Sequence, residues 1–278
     1  MYKRQLLQEK QMIPAVAGED IFTSLDLPSQ KVAYDELNNR RGAVVAVDIN
    51  DGSIVTYVSS PSFSVNKIAN GLTQNEFDEL INDDDKPFFD RAAQGRYSPA
   101  STIKPAIGLF GIDKDILDWE YTIQDPGFFI LPEDGRIYRG WKKGGHGEIN
   151  LKDAIIESSN TFFFSLAYQT EIEELRAHLS NFGFGKNVCD DCFMPDNGLL
   201  PSPKWKMNTH NFGWFKGDTV NVGVGQGYIN ATPIQLAYYS AFLATKGNIN
   251  TFSFVPVSYT HLRAHETKAN LVCRLLLE

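Results

Sequence analysis

The stretch YSPASTIKPAIG, Tyr97–Gly108, places a serine three residues ahead of a lysine, in Ser101-Thr102-Ile103-Lys104. Pro99 just upstream predicts a helix from Ser101 to about Gly108, and residues three apart on a helix share a face. A serine hydroxyl attacks a carbonyl well only with a base in reach. Lysine, near pKa ~10.4 in water, is a poor base until burial lowers it. A helix start also supplies free N–H groups for a developing oxyanion. By itself S-x-x-K also fits an N-capping serine beside a solvated lysine. The small and apolar flank of Ala100, Ile103, Ala106 and Ile107 argues for a buried helix instead, and a buried lysine needs a reason.

Downstream, LKDAIIESSNTFFFSLAYQT (151–170) reads as one hydrophobic helix interrupted by Ser158-Ser159-Asn160. Ser and Asn are poor helix formers, so the triplet is either a bend or a polar contact in the core. Its functional reading is a second wall of the same site, with Ser158 relaying a proton and Asn160 holding a substrate amide.

Around these two motifs the pattern is mixed. Helices are expected from about Pro28, over 171–182, and over 231–247, where Thr232 caps, Pro233 opens and Gly247 closes the helix. The β-branched runs Val44–Asp48 and Ile54–Ser59 flank Asn50-Asp51-Gly52-Ser53, a hairpin signal. Residues 64–90 read as a polar, acidic surface excursion, and 186–222, rich in Gly, Pro, Asn and Asp, as loop. A hairpin followed by mostly helical sequence predicts an α+β fold whose sheet needs further strands.

The 278 residues are 42% hydrophobic and 12% aromatic with a formal charge of −8, a globular composition. The acidic balance argues against a nucleic-acid partner. No apolar run approaches the ~20 residues that cross a bilayer. Both ends read as foreign: MYKRQ (1–5) and VSYTHLRAHETKANLVCRLLLE (257–278) resemble translated transposon-end and adapter sequence from DNA library preparation. The expectation is therefore a natural segment from 6 to 256. His261, His265 and Cys273 carry no functional weight in that reading. Cys189 and Cys192 form a C-x-x-C with no second pair, so a surface loop pair, free or locally bridged, is expected rather than a zinc or redox site.

Together the motifs resemble the class B penicillin-binding transpeptidases, over nearly all of residues 18–247. The matching segments are RRGAVVAVDINDGSIVTYVSSPSF (40–63), FFDRAAQGRYSPASTIKP (88–105), GWKKGGHGEINLKDAIIESSNTFFF (140–164), NGLLPSPKW (197–205) and VGQGYINATPIQLA (224–237). S-x-x-K followed 57 residues later by S-x-N is the specific part. The resemblance implies a partial penicillin-binding/β-lactamase-like domain, with helices on an antiparallel sheet whose C-terminal strands are missing. It implies a serine enzyme that cross-links peptidoglycan stem peptides and is acylated by β-lactams. Ser101 is then the nucleophile and Lys104 its base, with Ser158 and Asn160 as the second motif. It further implies a periplasmic domain anchored to the inner membrane and a membrane partner that polymerises glycan.

Three departures stand out. The family's third motif, K-[ST]-G, is absent, so the chain as given is expected to be inactive on peptides. Ala100 stands where many relatives have glycine. Some relatives hold zinc through Asp, Asp, His and Cys; here Asp125 and His146 match two positions, while Gly140 and Ser159 occupy the others. Two ligands fall short of a structural site's four, so no cofactor is expected, and His146 in GGHGE otherwise reads as a loop-packing residue. A β-lactam sensor domain and a serine β-lactamase are the competing readings. The R-A-x-Q-G-x-Y lead and the G-Q-G-Y-x-x-A-T-P-x-Q-L-A segment favour the transpeptidase.

Overall fold

The computed structural model describes residue 18 and residues 20–255; the readings at 1–5 and 257–278 lie outside them. In chain order, α1 (Leu27–Leu37) precedes the hairpin β1 (Gly42–Val47) and β2 (Ile54–Ser60). The excursion carries α2 (Val65–Ala69) and α3 (Gln74–Asn82). A 3₁₀ turn, Ala100–Ile103, then runs into α4 (Lys104–Asp113). Four short strands follow, β3 (Thr122–Asp125), β4 (Phe128–Ile130), β5 (Ile137–Arg139) and β6 (Gly147–Asn150). The rest is helical: α5 (Leu151–Ile156), α6 (Asn160–Tyr168), α7 (Ile172–Asn181), α8 (Pro203–His210), α9 (Lys216–Val222) and α10 (Pro233–Ala244).

The α+β reading holds, and the hairpin is antiparallel from Gly42↔Ser60 to Val47↔Ile54, with an irregularity at Ala46/Val47. Its alternation buries Ile54, Thr56 and Val58 on one face. α1 packs on β2 and α10 on β1. The main core gathers Ile103, Ile107 and Phe110 of the S-x-x-K segment with Phe162, Phe163 and Leu166 of α6. Burying such a side chain contributes about 1.5–3 kcal/mol, so both motifs are held by the best-packed part of the molecule.

Two expectations need correction. The helix over 151–170 is two helices, because Ser158 takes φ +53 and Ser159 caps α6 through Phe162 N–H. The segment 186–222 is not all loop. Ser202 caps α8 ahead of Pro203, and Asp218 closes a turn at the head of α9. Both helices are short, and neither makes a long apolar stripe. The excursion at 64–90 does lie on the surface, since neither of its helices has a buried residue.

Cys189 and Cys192 are bridged, and Cys189 is fully buried rather than superficial. The loop they close grips the chain at 251–255. Asp190 N–H donates to Phe252 O, and the Asp191 carboxylate accepts from the N–H groups of Phe254 and Val255. By the chain-entropy relation a loop this short stabilises by about 2 kcal/mol. Cys189→Ser/Cys192→Ser therefore lowers the unfolding free energy by about that amount in urea titration. An unchanged midpoint and slope contradict this.

Candidate active site

The site assembles where α4 begins against the break between α5 and α6. Lys104 opens α4, with Pro105 at its first turn, and is almost entirely buried at 1% exposure. Its ammonium donates to Ser158 O at 2.7 Å and to Asn160 Oδ1 at 2.7 Å, and lies 3.1 Å from Ser158 Oγ. The Phe163 ring faces the same nitrogen at 5.5 Å. Burial pulls the Lys104 ammonium down to about 8, within reach of a working base near neutral pH.

Ser101 sits one turn earlier, in the 3₁₀ turn. It is exposed, and its hydroxyl has no hydrogen-bond partner among the described residues. The geometry therefore joins Lys104, Ser158 and Asn160 directly and leaves Ser101 exposed, outside that network.

Two non-glycine residues at positive φ bracket the site. Ser158 at φ +53 turns both its carbonyl and its hydroxyl onto Lys104. Ala100, just before the serine, takes φ +49, in the left-handed region that favours glycine. The G-Q-G-Y segment holds this turn from behind. Gly225 O accepts from Ala100 N–H at 2.9 Å, and Ala231 pairs with Tyr97 through bonds of 2.9 and 2.8 Å. A Cβ on Gly225 would lie 2.2 Å from Ala100 O, so this approach admits only glycine.

Asp125 and His146 do come together, with Nδ1 of the ring 2.6 Å from Oδ2 of the carboxylate. Ser159 Oγ donates to the same oxygen at 2.8 Å while capping α6. Burial pushes the Asp125 carboxyl up, but bonds from His146, Gly127 N–H and Ser159 outweigh it and hold the group below its usual range. This donor set does not suit zinc. The two ligand-type side chains face each other, Gly140 has none, and Ser159 brings a hydroxyl where a thiolate would be needed. No three His, Cys, Asp or Glu residues cluster for a metal among the described residues. What the network does is brace Ser159, and with it the motif on either side.

The sequence reading missed that bracing role and a second pair, Lys206 and Asp218. Lys206 is 4% exposed, 2.6 Å from Asp218, and covered by the Phe215 and Tyr228 rings. Nothing in W-K-M or K-G-D-T announces a partner twelve residues away; only the low exposure of a lysine among aromatics could have.

An exposed serine at a helix start, a buried lysine of lowered pKa and a Ser-x-Asn turn bonded to it make up the site. The chain belongs to the penicillin-binding protein transpeptidase domain family, whose model matches residues 42–272. It is 43% identical over 231 residues to the peptidoglycan D,D-transpeptidase MrdA of Acinetobacter baumannii, covering 83% of this chain and 34% of that protein. The Escherichia coli protein of the same name is 35% identical over 243 residues, covering 87% and 38%. Among solved structures, Pseudomonas aeruginosa PBP2 in complex with WCK 5153 superposes with TM-score 0.84 at 35% identity, over 93% of this chain and 60% of that one. The chain thus spans little more than a third of the curated relatives it matches.

Proposed function

We propose that the chain is the acyl-transfer segment of a longer peptidoglycan D,D-transpeptidase, a penicillin target. The observation that carries this is the buried Lys104 hydrogen-bonded to both members of the Ser158-x-Asn160 turn, one helical turn from exposed Ser101. In the reaction, Ser101 Oγ attacks the carbonyl of the penultimate D-Ala and its proton passes to neutral Lys104. The C–N bond breaks, and the departing D-Ala amine takes a proton relayed through Ser158. An amine of a neighbouring stem then attacks the acyl-enzyme and gives a proton to Lys104; the ester C–O bond breaks, and the lysine returns that proton to the Ser101 oxygen. Asn160 orients the donor amide. A β-lactam opens on the same serine and leaves slowly.

The relatives' names favour this over a sensor or a β-lactamase. The Helicobacter pylori PBP2 was solved in complex with MreC, and another neighbour belongs to a peptidoglycan synthase complex of polymerisation and cross-linking. They support a partner in cell-wall synthesis for this protein, and we extend that to a glycan-polymerising membrane protein. No helix among the described residues is long and apolar enough to cross a membrane. The proposal places this domain in the periplasm, with an anchor elsewhere in the protein.

Incubating the complete protein with a stem pentapeptide should release D-Ala, and penicillin should block that release. No release with correctly folded protein overturns the assignment. The pH dependence adds a check. The neutral fraction of a base at about 8 rises tenfold per pH unit below that value, so the acylation rate should climb from pH 6 to about 8 and then level. A rate flat over that interval rules out Lys104 as the titrating base.

A further inference from the structure

Beside the second motif lies a cavity of about 250 Å³ lined by Arg139, Lys142 and Lys143 together with Trp141, Phe128 and Ile137. In a chain of formal charge −8, three cations on one cavity are unexpected. All three are exposed, and among the described residues none of their side chains has an ion pair or hydrogen bond. Unopposed like charges around a concavity raise the local positive potential and favour an anion there.

The cavity is preorganised and tied to the catalytic turn. The Trp141 ring is 62% exposed, yet its indole N–H donates to Glu157 O at 3.0 Å. Glu157 immediately precedes Ser158, so this bond ties the ring to the chain at the edge of the motif. Gly140 donates to Gly127 O, and a Cβ on Gly140 would lie 3.5 Å from Thr161 Oγ1, next to Asn160. The chain closes tightly on itself at this point, since a Cβ on Gly127 would sit 2.8 Å from both Gly145 N and Lys142 O.

We propose that this cavity is a subsite for side-chain carboxylates of the peptide substrate, away from the scissile bond. The inference rests on the transpeptidase reading and names the substrate chemistry of that site. Three features favour a peptide over an anionic membrane surface. The cavity is concave, it holds about one or two side chains, and its aromatic platform suits a backbone or aliphatic stem lying across it.

The test uses the complete protein and a fluorescein-labelled pentapeptide ending in D-Ala-D-Ala with two side-chain carboxylates, read by anisotropy. Its diamide is the control, and penicillin acylation is followed in the same samples. Lys142→Ala/Lys143→Ala should bind the dicarboxylate about tenfold more weakly, with binding of the diamide and the penicillin acylation rate unchanged. Lys142→Arg/Lys143→Arg should restore affinity, and raising the salt from 50 to 500 mM should erase the preference for the charged peptide. The proposal is overturned if both peptides bind alike. It is also overturned if the variant binds the dicarboxylate normally, or if the cations instead mediate binding to phosphatidylglycerol vesicles. Failure of penicillin to label the wild type sinks the transpeptidase reading instead, independently of whether the charged peptide is preferred.

Discussion

Ser101→Ala in the complete protein should form no covalent penicillin adduct, with an acylation rate reduced by about 10⁴–10⁶-fold. The loss should be that large because no other hydroxyl stands in its place. Ser158 is already committed to Lys104, and Ser159 to Asp125 and the α6 cap. Removal of a serine nucleophile in other acyl-transfer enzymes costs this order of magnitude. Stability should not follow. Ser101 is exposed and makes no side-chain bond among the described residues, so the substitution belongs to the surface class that stays within about 0.5 kcal/mol. Retained labelling at more than a hundredth of the wild-type rate, on a protein that melts normally, removes Ser101 from the mechanism.

The second large effect concerns Lys104. Lys104→Met deletes the proposed base and should slow acylation by about 10²–10⁴-fold. It also strands Ser158 O and Asn160 Oδ1, each worth about 1–3 kcal/mol when left unpaired, while relieving the desolvation of a buried cation. The two stability effects oppose, so a melt is uninformative and the rate is the readout. Lys104→Arg separates the roles more cleanly. A guanidinium keeps the charge and the donors but does not deprotonate in a protein. If Lys104 is the base, arginine should be as slow as methionine. An arginine variant with more than a tenth of the wild-type rate would show that Lys104 serves only as a cation.

The parts of the site legible in the sequence were those written in local spacing. Ser101 and Lys104 are three apart on a helix start, and Ser158-Ser159-Asn160 breaks an otherwise apolar helix. Thr232-Pro233 announces α10, and the Asn50–Ser53 turn announces the hairpin. What escaped depended on backbone strain or on contacts between distant segments. The interruption at 158–160 shows in the residue types, but the positive φ of Ser158 that makes it a full break does not. α8 and α9 are too short to show a periodic apolar face, so their Pro and Asp start signals read as loop. The pairing of Asp125 with His146 crosses 21 residues of sequence between two strands. Composition alone let them pass as metal ligands or loop filler; packed together, they hold Ser159 in place.

The central claim is that Ser101 takes the acyl group with Lys104 as its base. The most direct measurement is peptide-mapped mass spectrometry of the complete protein trapped with a slowly hydrolysed penicillin. One adduct per chain, on the peptide that contains Ser101, is the predicted result. An adduct on the peptide containing Ser158 and Ser159, or no adduct on folded protein, contradicts it.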